Sequence, residues 1–258
     1  MKISIRASMR PVRGSDVHPL RWAFEEGSKL SFDGLELCMN ASQWSMAGFW
    51  TEEWKTEVKS MIDQYNMNIF SLSSDWAWAY ASFFPEFKDW GRGVELMAED
   101  AKLAKELGAH TILMHFGTSK GSWEDCNAVI KDVAAAGEEQ GVVFGYEANI
   151  WERTELGGFE GLLRMVDEVG SPYFGMYLHN AYPRAGLPLH EEVEKAGERL
   201  VQSMHSSSLV SGRVEIDFQK AFAAMKKYFS DGVYTFEIPW EEAEGNKKFI
   251  DEMMAKYW

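Results

Sequence analysis

Five residues that can bind a metal or transfer a proton stand at the ends of apolar, strand-like segments. They are His115 in ILMHFG, Glu147 in VFGYEAN, His179 in GMYLHN, His205 in VQSMHSS and Glu237 in YTFEIPW. Burying an imidazole or a carboxylate is costly unless a partner compensates it. A divalent cation would compensate several of these groups at once, so the pattern predicts a metal site that supports proton-transfer chemistry.

The elements that would position these residues alternate between strand and helix along the whole chain. Strands are predicted at residues 2–6, 34–39, 68–72, 111–115, 142–147, 174–179, 200–205 and 233–238, and helical patterns at 52–65, 93–108, 126–141, 159–170, 189–200 and 217–229. Several helical patterns close on glycine, as in ELG and EEQG, where a left-handed residue ends a helix. Eight strands, each followed by a helix, predict an α/β fold with a single (β/α)8 barrel domain over residues 1–258, and a doubly wound open sheet is the alternative.

Side-chain alternation predicts which residues would face the barrel interior. Strand residues point in and out with period two, so an inward Glu147 takes Gly145 inward and sends Phe144 and Tyr146 toward the helices. In parallel barrels the chemistry lies at the C-terminal ends of the strands. The last four strands would therefore bring four ligands to one small volume: Glu147, His179, His205 and Glu237.

This predicted ligand set also indicates the kind of cation. Oxygen and imidazole ligands together suit Mn²⁺, Co²⁺, Fe²⁺ or Zn²⁺, and two imidazoles disfavour a site built for Mg²⁺ alone. We expect one divalent ion, with Mn²⁺ as the first expectation.

Tryptophans are concentrated in segments that follow predicted strands. Seven of the eleven occur there: Trp44, Trp50, Trp76, Trp78, Trp123, Trp151 and Trp240. Flat apolar rings at a barrel mouth stack on sugar C–H faces or close over a small substrate. Trp151 and Trp240 are the candidates for substrate contact, and packing against helices or a subunit interface is the alternative.

Composition narrows the partners. A net charge of −14 disfavours nucleic acid and anionic membranes, since both attract cationic surfaces. No stretch approaches the ~20 apolar residues of a membrane span, and the segment MKISIRASMR has no apolar signal core. Two cysteines are too few for a disulfide framework. We expect a cytoplasmic protein that acts on a small molecule.

The chain resembles a known family, the xylose isomerase-like barrels labelled sugar phosphate isomerases/epimerases. These include tagatose/psicose 3-epimerases, inosose dehydratases and isomerases, and hydroxypyruvate isomerases. The resemblance covers essentially the whole chain and is carried by these segments: FDGLEL, ELGAHTILMHFG, GVVFGYEAN, SPYFGMYLHN, MHSSS and VEIDFQKAFAAMKKYFSDGVYTFEI. It implies a divalent-metal-dependent isomerase or epimerase that acts on a sugar or keto-sugar through an enediolate, and a homo-oligomer such as a dimer or tetramer.

The resemblance also implies residue roles. The family holds one cation with Glu, Asp, His and Glu on strands five to eight, and the two Glu residues exchange protons with the substrate. Glu147, His205 and Glu237 match this pattern, whereas His179 stands where the family has Asp. That departure would shift the site toward softer metals, recruit Asn180 or remove the metal. Glu36 resembles a residue near the floor of the family's pocket, with a structural role as the alternative, and Arg213 resembles an arginine that often meets substrate oxygens. Tyr182 stands where many members have His and is a further candidate for substrate contact.

Three other functions are weighed against the isomerase. A lyase, either a dehydratase or a 3-keto-glycoside β-eliminase, would share the first proton abstraction. A degenerate barrel would bind sugar without catalysis. The same fold occurs in a multi-zinc endonuclease family that acts on abasic DNA. His115 is similar to a metal-binding histidine on strand four of that family. The net negative charge of this protein opposes DNA binding. For the isomerase, His115 is a candidate substrate contact.

Overall fold

The computed structural model describes residues 1–8, 19–39, 51–74, 91–115, 122–147, 158–180, 187–211 and 215–258. Within these residues eight strands alternate with helices. The strands are β1 (Lys2–Ser8), β2 (Gly34–Met39), β3 (Asn68–Ser74), β4 (Thr111–Met114), β5 (Val143–Tyr146), β6 (Phe174–His179), β7 (Leu200–Ser206) and β8 (Val233–Phe236). The α-helices are α1 (Pro19–Lys29), α2 (Glu52–Tyr65), α3 (Gly91–Leu107), α4 (Trp123–Gln140), α5 (Phe159–Val169), α6 (Leu189–Ala196), α7 (Phe218–Tyr228) and α8 (Ala243–Tyr257). Short 3₁₀ turns occupy Gly197–Arg199 and Trp240–Glu242.

The eight strands form one closed, parallel barrel in sequence order. Each strand pairs with the next, and β8 returns to pair with β1, with Lys2 opposite Val233. This closure confirms the predicted (β/α)8 barrel and excludes the open sheet. The described helices include none with the length and apolar character that a membrane span requires.

Local sequence signals account for the ends of the helices. Ser122 accepts a hydrogen bond from the backbone N–H of Asp125, whose carboxylate accepts one from the N–H of Ser122, so a capping box starts α4. The expected glycine ends are present: Gly108 and Gly141 have φ of 80° and 73°. Glycine adopts this left-handed region without the steric cost that a Cβ would add.

Alternation along β5 sorts its residues between the two sides of the barrel wall, as predicted. Phe144 and Tyr146 are fully buried in the main hydrophobic cluster with helix residues. Gly145 points the other way, since a Cβ there would lie 2.9 Å from both Tyr177 and Val201. The interior is therefore filled near its floor by residues of β4, β6 and β7.

Polar side chains share the barrel interior with this apolar floor. The hydroxyls of Ser4 on β1 and Thr235 on β8 lie 2.7 Å apart and both are buried. Ser71, Ser73 and Ser203 are also buried on the strands. Small hydroxyl side chains leave room above the floor for larger polar groups at the C-terminal mouth.

Candidate active site

The barrel brings the predicted strand-end residues to one mouth. His179 and His205 are register partners at the ends of β6 and β7. Glu147 and Glu237 directly follow β5 and β8, and their backbone N–H groups donate to Met114 and Ser206 of the preceding strands, with N···O distances of 3.3 and 2.8 Å. The strand ladder therefore fixes the backbone from which all four side chains project.

The side chains of these four residues converge around His205. Its Nδ1 atom lies 3.6 Å from Oε2 of Glu147 and 3.6 Å from Oε2 of Glu237. The Nε2 atom of His179 lies 3.2 Å from the same Glu237 oxygen. Two carboxylates from different strands thus flank one imidazole nitrogen.

A subset of this cluster has the geometry of a metal site. Glu147, His179 and His205 each offer a ligand atom within 4.8 Å of the others, and all three residues are buried. The Nδ1 atom of His205 is buried without a hydrogen-bond partner in the described part of the chain. Native structures rarely leave such an atom unsatisfied, and a cation between the three residues would satisfy it.

Glu36 on β2 supports His205 from below. One carboxylate oxygen lies 2.6 Å from Nε2 of His205, and the other accepts hydrogen bonds from Ser71 at 2.7 Å and Tyr177 at 2.9 Å. Glu36 is fully buried. The structure therefore places this candidate substrate contact beneath His205, with both of its carboxylate oxygens engaged by protein.

The Glu36 carboxyl is ionised despite its burial. Burial by itself would raise its pKa, but the His205 imidazole, Arg6 and the Ser71 hydroxyl together lower the pKa of Glu36 to about 2. Burial and the neighbouring Glu36 carboxylate raise the pKa of Tyr177, so its hydroxyl keeps the proton that it donates. The proton on Nε2 of His205 therefore has a permanently charged acceptor.

His205 responds to the same neighbours. Burial alone would lower its pKa, but the carboxylates of Glu36 and Glu147 outweigh burial and raise it. Without a metal, the imidazole is thus stabilised in its protonated form between carboxylates. A cation would take the position of the proton on Nδ1, since the Nε2 side is held by Glu36.

Arg6 on β1 is a site residue that the sequence analysis did not single out. Its guanidinium donates to Oε1 of Glu237, to the Ser73 hydroxyl at 3.0 Å and to the Cys38 sulfur at 3.0 Å. The signal was the alternation of KISIRAS, because period two puts Arg6 on the interior side with Ser4. The positive charge of the Arg6 guanidinium therefore offsets the negative charge of Glu237 inside the barrel mouth.

His115 packs on Glu147 at the end of β4. Its Nδ1 atom donates to the backbone carbonyl of Glu147 at 2.9 Å, and its Nε2 atom lies 3.4 Å from Oε2 of the same residue. The structure thus brings His115 to the cluster as a neighbour of Glu147. Its predicted contact with substrate stays a prediction.

Asn180, directly after β6, is hydrogen-bonded to residues on or directly after β7 and β8. Its amide nitrogen donates to Ser206 at 2.7 Å and Tyr234 at 2.6 Å, and its amide oxygen accepts from the N–H of Ser207 at 2.9 Å. These bonds occupy both ends of the amide. The possibility that Asn180 joins the metal ligands is therefore not supported.

Two of the seven tryptophans singled out from the sequence, Trp123 and Trp240, lie among the described residues. Trp240 is half-buried and packs edge to face against Trp22 of α1, with ring centroids 5.0 Å apart. Trp123 is buried beneath the Arg164 guanidinium, and its indole N–H donates to Glu168 at 2.6 Å, which fits the alternative of packing against helices. The other candidates lie outside the described residues: Trp44, Trp50, Trp76, Trp78, Trp151, Tyr182 and Arg213.

The closed parallel barrel makes this a (β/α)8-barrel protein, and its imidazoles and carboxylates gather at the C-terminal mouth. The chain belongs to the xylose isomerase-like TIM barrel family, whose profile matches residues 24–255. No curated protein matches the sequence.

Solved structures with the same fold cover nearly the whole chain at low identity. The D-allulose 3-epimerase of Methylomonas sp. is 18% identical, with a TM-score of 0.75 over 100% of this chain and 97% of that one. The 3-keto-D-glucoside 4-epimerase YcjR of E. coli is 14% identical, with a TM-score of 0.71 over 99% of both chains. An IolI protein with a bound zinc atom is 14% identical, with a TM-score of 0.71 over 100% of this chain and 99% of that one. At these identities the likeness establishes the fold.

Proposed function

We propose that this protein is a divalent-metal-dependent isomerase or epimerase acting on a sugar or keto-sugar. The observation that carries the proposal is the pair of carboxylates, Glu147 and Glu237, each 3.6 Å from the same His205 nitrogen. Two of the similar solved structures are sugar epimerases by name. The arrangement suits proton transfer to and from carbon beside a carbonyl.

The two carboxylates differ in surroundings in a way that suits distinct roles. The Glu147 side chain is 7% exposed and that of Glu237 is 37% exposed. One would remove the proton on carbon, giving an enediolate, and the other would return a proton. Return to the opposite face of the same carbon gives epimerisation, and return to the neighbouring carbon gives isomerisation.

A cation would be held by Glu147, His179 and His205, with Glu237 as a further candidate ligand beside them. When bound, it polarises the substrate carbonyl and lowers the cost of the negative charge that develops on oxygen. Glu36 would fix the ring of His205, and Arg6 would fix the carboxylate of Glu237. From the sequence the first expectation for this ion is Mn²⁺, with Co²⁺, Fe²⁺ and Zn²⁺ as the alternatives.

Proton exchange with solvent tests the proposal directly. Metal-loaded protein would be incubated in D₂O with a panel of ketoses, inososes and 3-keto-glycosides, and the loss of carbon-bound ¹H signals followed by NMR. We expect exchange and rearrangement of at least one sugar. Elimination by a lyase would instead give unsaturated products in the same spectra.

Three variants assign the proton transfers. We expect Glu147→Gln to abolish exchange, Glu237→Gln to abolish net conversion, and Glu252→Gln, on the exposed face of α8, to behave as wild type. Exchange at the wild-type rate in Glu147→Gln would reject the role of that residue. No exchange of any panel sugar by metal-loaded wild type would count against the enzyme and favour a sugar-binding barrel.

The subunit number and the location are part of the same proposal. We expect a homo-oligomer, a dimer or tetramer, in the cytoplasm, with a small carbohydrate as partner and no nucleic acid or membrane. Light scattering coupled to size-exclusion chromatography checks the subunit number, and elution at the monomer mass of 29.4 kDa would reject the oligomer.

A further inference from the structure

The three residues that come within ligand distance of one another form an unusual set of donors for an oxygen-preferring cation. They are one carboxylate, Glu147, and two imidazoles, His179 and His205. Mn²⁺ and Mg²⁺ favour sites dominated by carboxylate, carbonyl and water oxygens, whereas imidazoles suit Zn²⁺, Co²⁺ and Fe²⁺. Two imidazoles with one carboxylate is also a ligand set of catalytic zinc sites.

We propose that this site selects a borderline transition-metal ion, with Zn²⁺ as its representative, over Mn²⁺ and Mg²⁺, and that His179 sets the preference. The inference rests on the metal site of the proposed function. It departs from the Mn²⁺ that the sequence led us to expect.

The other carboxylates at the mouth do not restore an oxygen-rich site. Arg6 donates to Oε1 of Glu237, and His179 contacts Oε2 at 3.2 Å. Both oxygens of Glu36 are engaged by His205, Ser71 and Tyr177. The negative charge of Glu237 is thus offset by Arg6. The carboxylate of Glu36 binds His205 and so supports one of the three candidate ligands.

The imidazole of His205 is held in the orientation that coordination requires. Glu36 engages Nε2 at 2.6 Å, which leaves Nδ1 directed between Glu147 and Glu237. A ligating histidine commonly uses its second ring nitrogen in this way, and the partner carboxylate increases the basicity of the ligating nitrogen. A more basic nitrogen donor strengthens the preference for zinc-like ions over Mn²⁺.

His179 completes the nitrogen-rich side of the site. It is buried, with its side chain 4% exposed, and it lies opposite His205 in the strand register. An aspartate at this position would supply a shorter oxygen donor and one more negative charge. The same scaffold would then offer two carboxylates and one imidazole, a set better suited to Mn²⁺.

Competitive metal titration tests the inference without measuring activity. Chelator-stripped protein is titrated with Zn²⁺ and with Mn²⁺ against a chromophoric chelator, and the ratio of the two dissociation constants is compared among wild type, His179→Asp and His190→Asp. His190 lies on α6, where its Nε2 atom is 3.8 Å from Glu191, and carries the same substitution as a control. We expect a wild-type preference for Zn²⁺ above ~100-fold, narrowed at least ~10-fold by His179→Asp and unchanged by His190→Asp.

A second variant tests the inference from the opposite side of the site. Arg6→Met keeps the length and apolar volume of the side chain but removes the cation from Oε1 of Glu237. We expect Mn²⁺ affinity to rise at least ~10-fold, since a second carboxylate becomes available to an oxygen-preferring ion. Loss of this gain in Arg6→Met with Glu237→Gln would assign the gain to that carboxylate.

The possible outcomes separate this inference from the proposed function. Wild type that binds Mn²⁺ as tightly as Zn²⁺, or a ratio of dissociation constants unchanged in His179→Asp, overturns the selectivity even if sugars are converted. Unchanged Mn²⁺ affinity in Arg6→Met would reject the claim that Arg6 withholds the Glu237 carboxylate from an oxygen-preferring ion. Zinc selectivity with no conversion of any sugar overturns the isomerase and leaves the metal inference standing.

Discussion

At the scale of single residues, His205 is the side chain around which the site is organised. Its two ring nitrogens face different environments: Nε2 meets the buried carboxylate of Glu36 at 2.6 Å, and Nδ1 faces Glu147 and Glu237 at 3.6 Å. A hydrogen bond to one nitrogen determines what the other can do. Glu36 therefore determines that Nε2 of His205 is held by the protein, whereas Nδ1 faces the candidate metal site.

Replacing Glu36 tests this division. Glu36→Gln keeps an oxygen that can accept a hydrogen bond from Nε2 of His205 but removes the negative charge that makes Nδ1 a more basic metal ligand. We expect Zn²⁺ affinity to fall by about 10–100-fold. Isothermal titration calorimetry measures it, with Glu252→Gln as the control for loss of one acidic charge; an affinity within twofold of wild type would contradict the supporting role.

The residues of the site differ in how far the sequence predicts them. Glu147, His179, His205 and Glu237 were predictable because each ends an apolar strand and barrel topology gathers strand ends. Arg6 lies inside a strand, where a long side chain reaches the mouth from below. How far a side chain reaches toward the mouth depends on the tilt of the strand and on neighbouring side chains. Side-chain alternation in the sequence predicts neither of these.

At the scale of elements, β5 positions Glu147 through a close contact at Gly145. A Cβ at this position would lie 2.9 Å from both Tyr177 and Val201, inside the barrel floor. Glycine at this point lets β5 approach β6 and β7, the strands that carry the two imidazoles. A side chain at this position would therefore push β5, and Glu147 after it, away from the strands that carry the other two candidate ligands.

Adding a methyl group at Gly145 tests the role of this contact. We expect Gly145→Ala to lower the free energy of unfolding by about 1–3 kcal/mol, because the floor side chains must shift. Gly93→Ala in α3 is the matched control: a Cβ at Gly93 would meet no described atom within 4 Å, so helix propensity should raise stability by up to ~1 kcal/mol. Urea denaturation measures both, and equal effects would refute the close-packing argument.

Helix α4 shows why element boundaries are harder to predict than elements. The apolar pattern predicted a helix over 126–141, whereas α4 spans Trp123–Gln140. The earlier start follows from the capping box between Ser122 and Asp125, a local hydrogen-bond pair that hydrophobic periodicity does not register. In contrast, the pattern at 52–65 matches α2, because Thr51 caps the helix directly before the apolar repeat.

Removing the cap of α4 tests the boundary. Ser122→Ala deletes the side-chain acceptor for the Asp125 N–H, and we expect a loss of about 1 kcal/mol in the free energy of unfolding. Ser122→Asn, which can still accept that bond, serves as the conservative control. A loss in Ser122→Asn as large as that in Ser122→Ala would contradict a capping role.

At the scale of the whole molecule, an ion bound at the candidate site would stabilise the entire closed barrel, because the site is built from several of its strands. The candidate metal ligands lie on β6 and β7 or directly after β5, and Glu237 follows β8, which closes the barrel on β1. Ions that bind only the folded protein stabilise it by mass action. That residues 1–258 form one cooperative domain stays a prediction of the sequence.

Calorimetry tests both the domain and its link to the metal. We expect one unfolding transition for chelator-stripped protein and a rise of several degrees in Tm with Zn²⁺ at ~100 times its Kd, equivalent to about 2.7 kcal/mol. His179→Asp should reduce the rise at the same Zn²⁺ concentration. Two separate transitions would contradict the single domain, and a Tm indifferent to Zn²⁺ would contradict binding to the folded state.

The proposed chemistry requires that side chains from β5, β6 and β7 hold one cation beside the proton-transferring carboxylates. Anomalous diffraction at the zinc edge, from crystals of chelator-stripped protein soaked in Zn²⁺, locates that cation. We predict one peak at about 2.0–2.2 Å from a Glu147 oxygen and from nitrogens of His179 and His205. No peak at the barrel mouth, or a peak bound by other residues, would contradict the proposal.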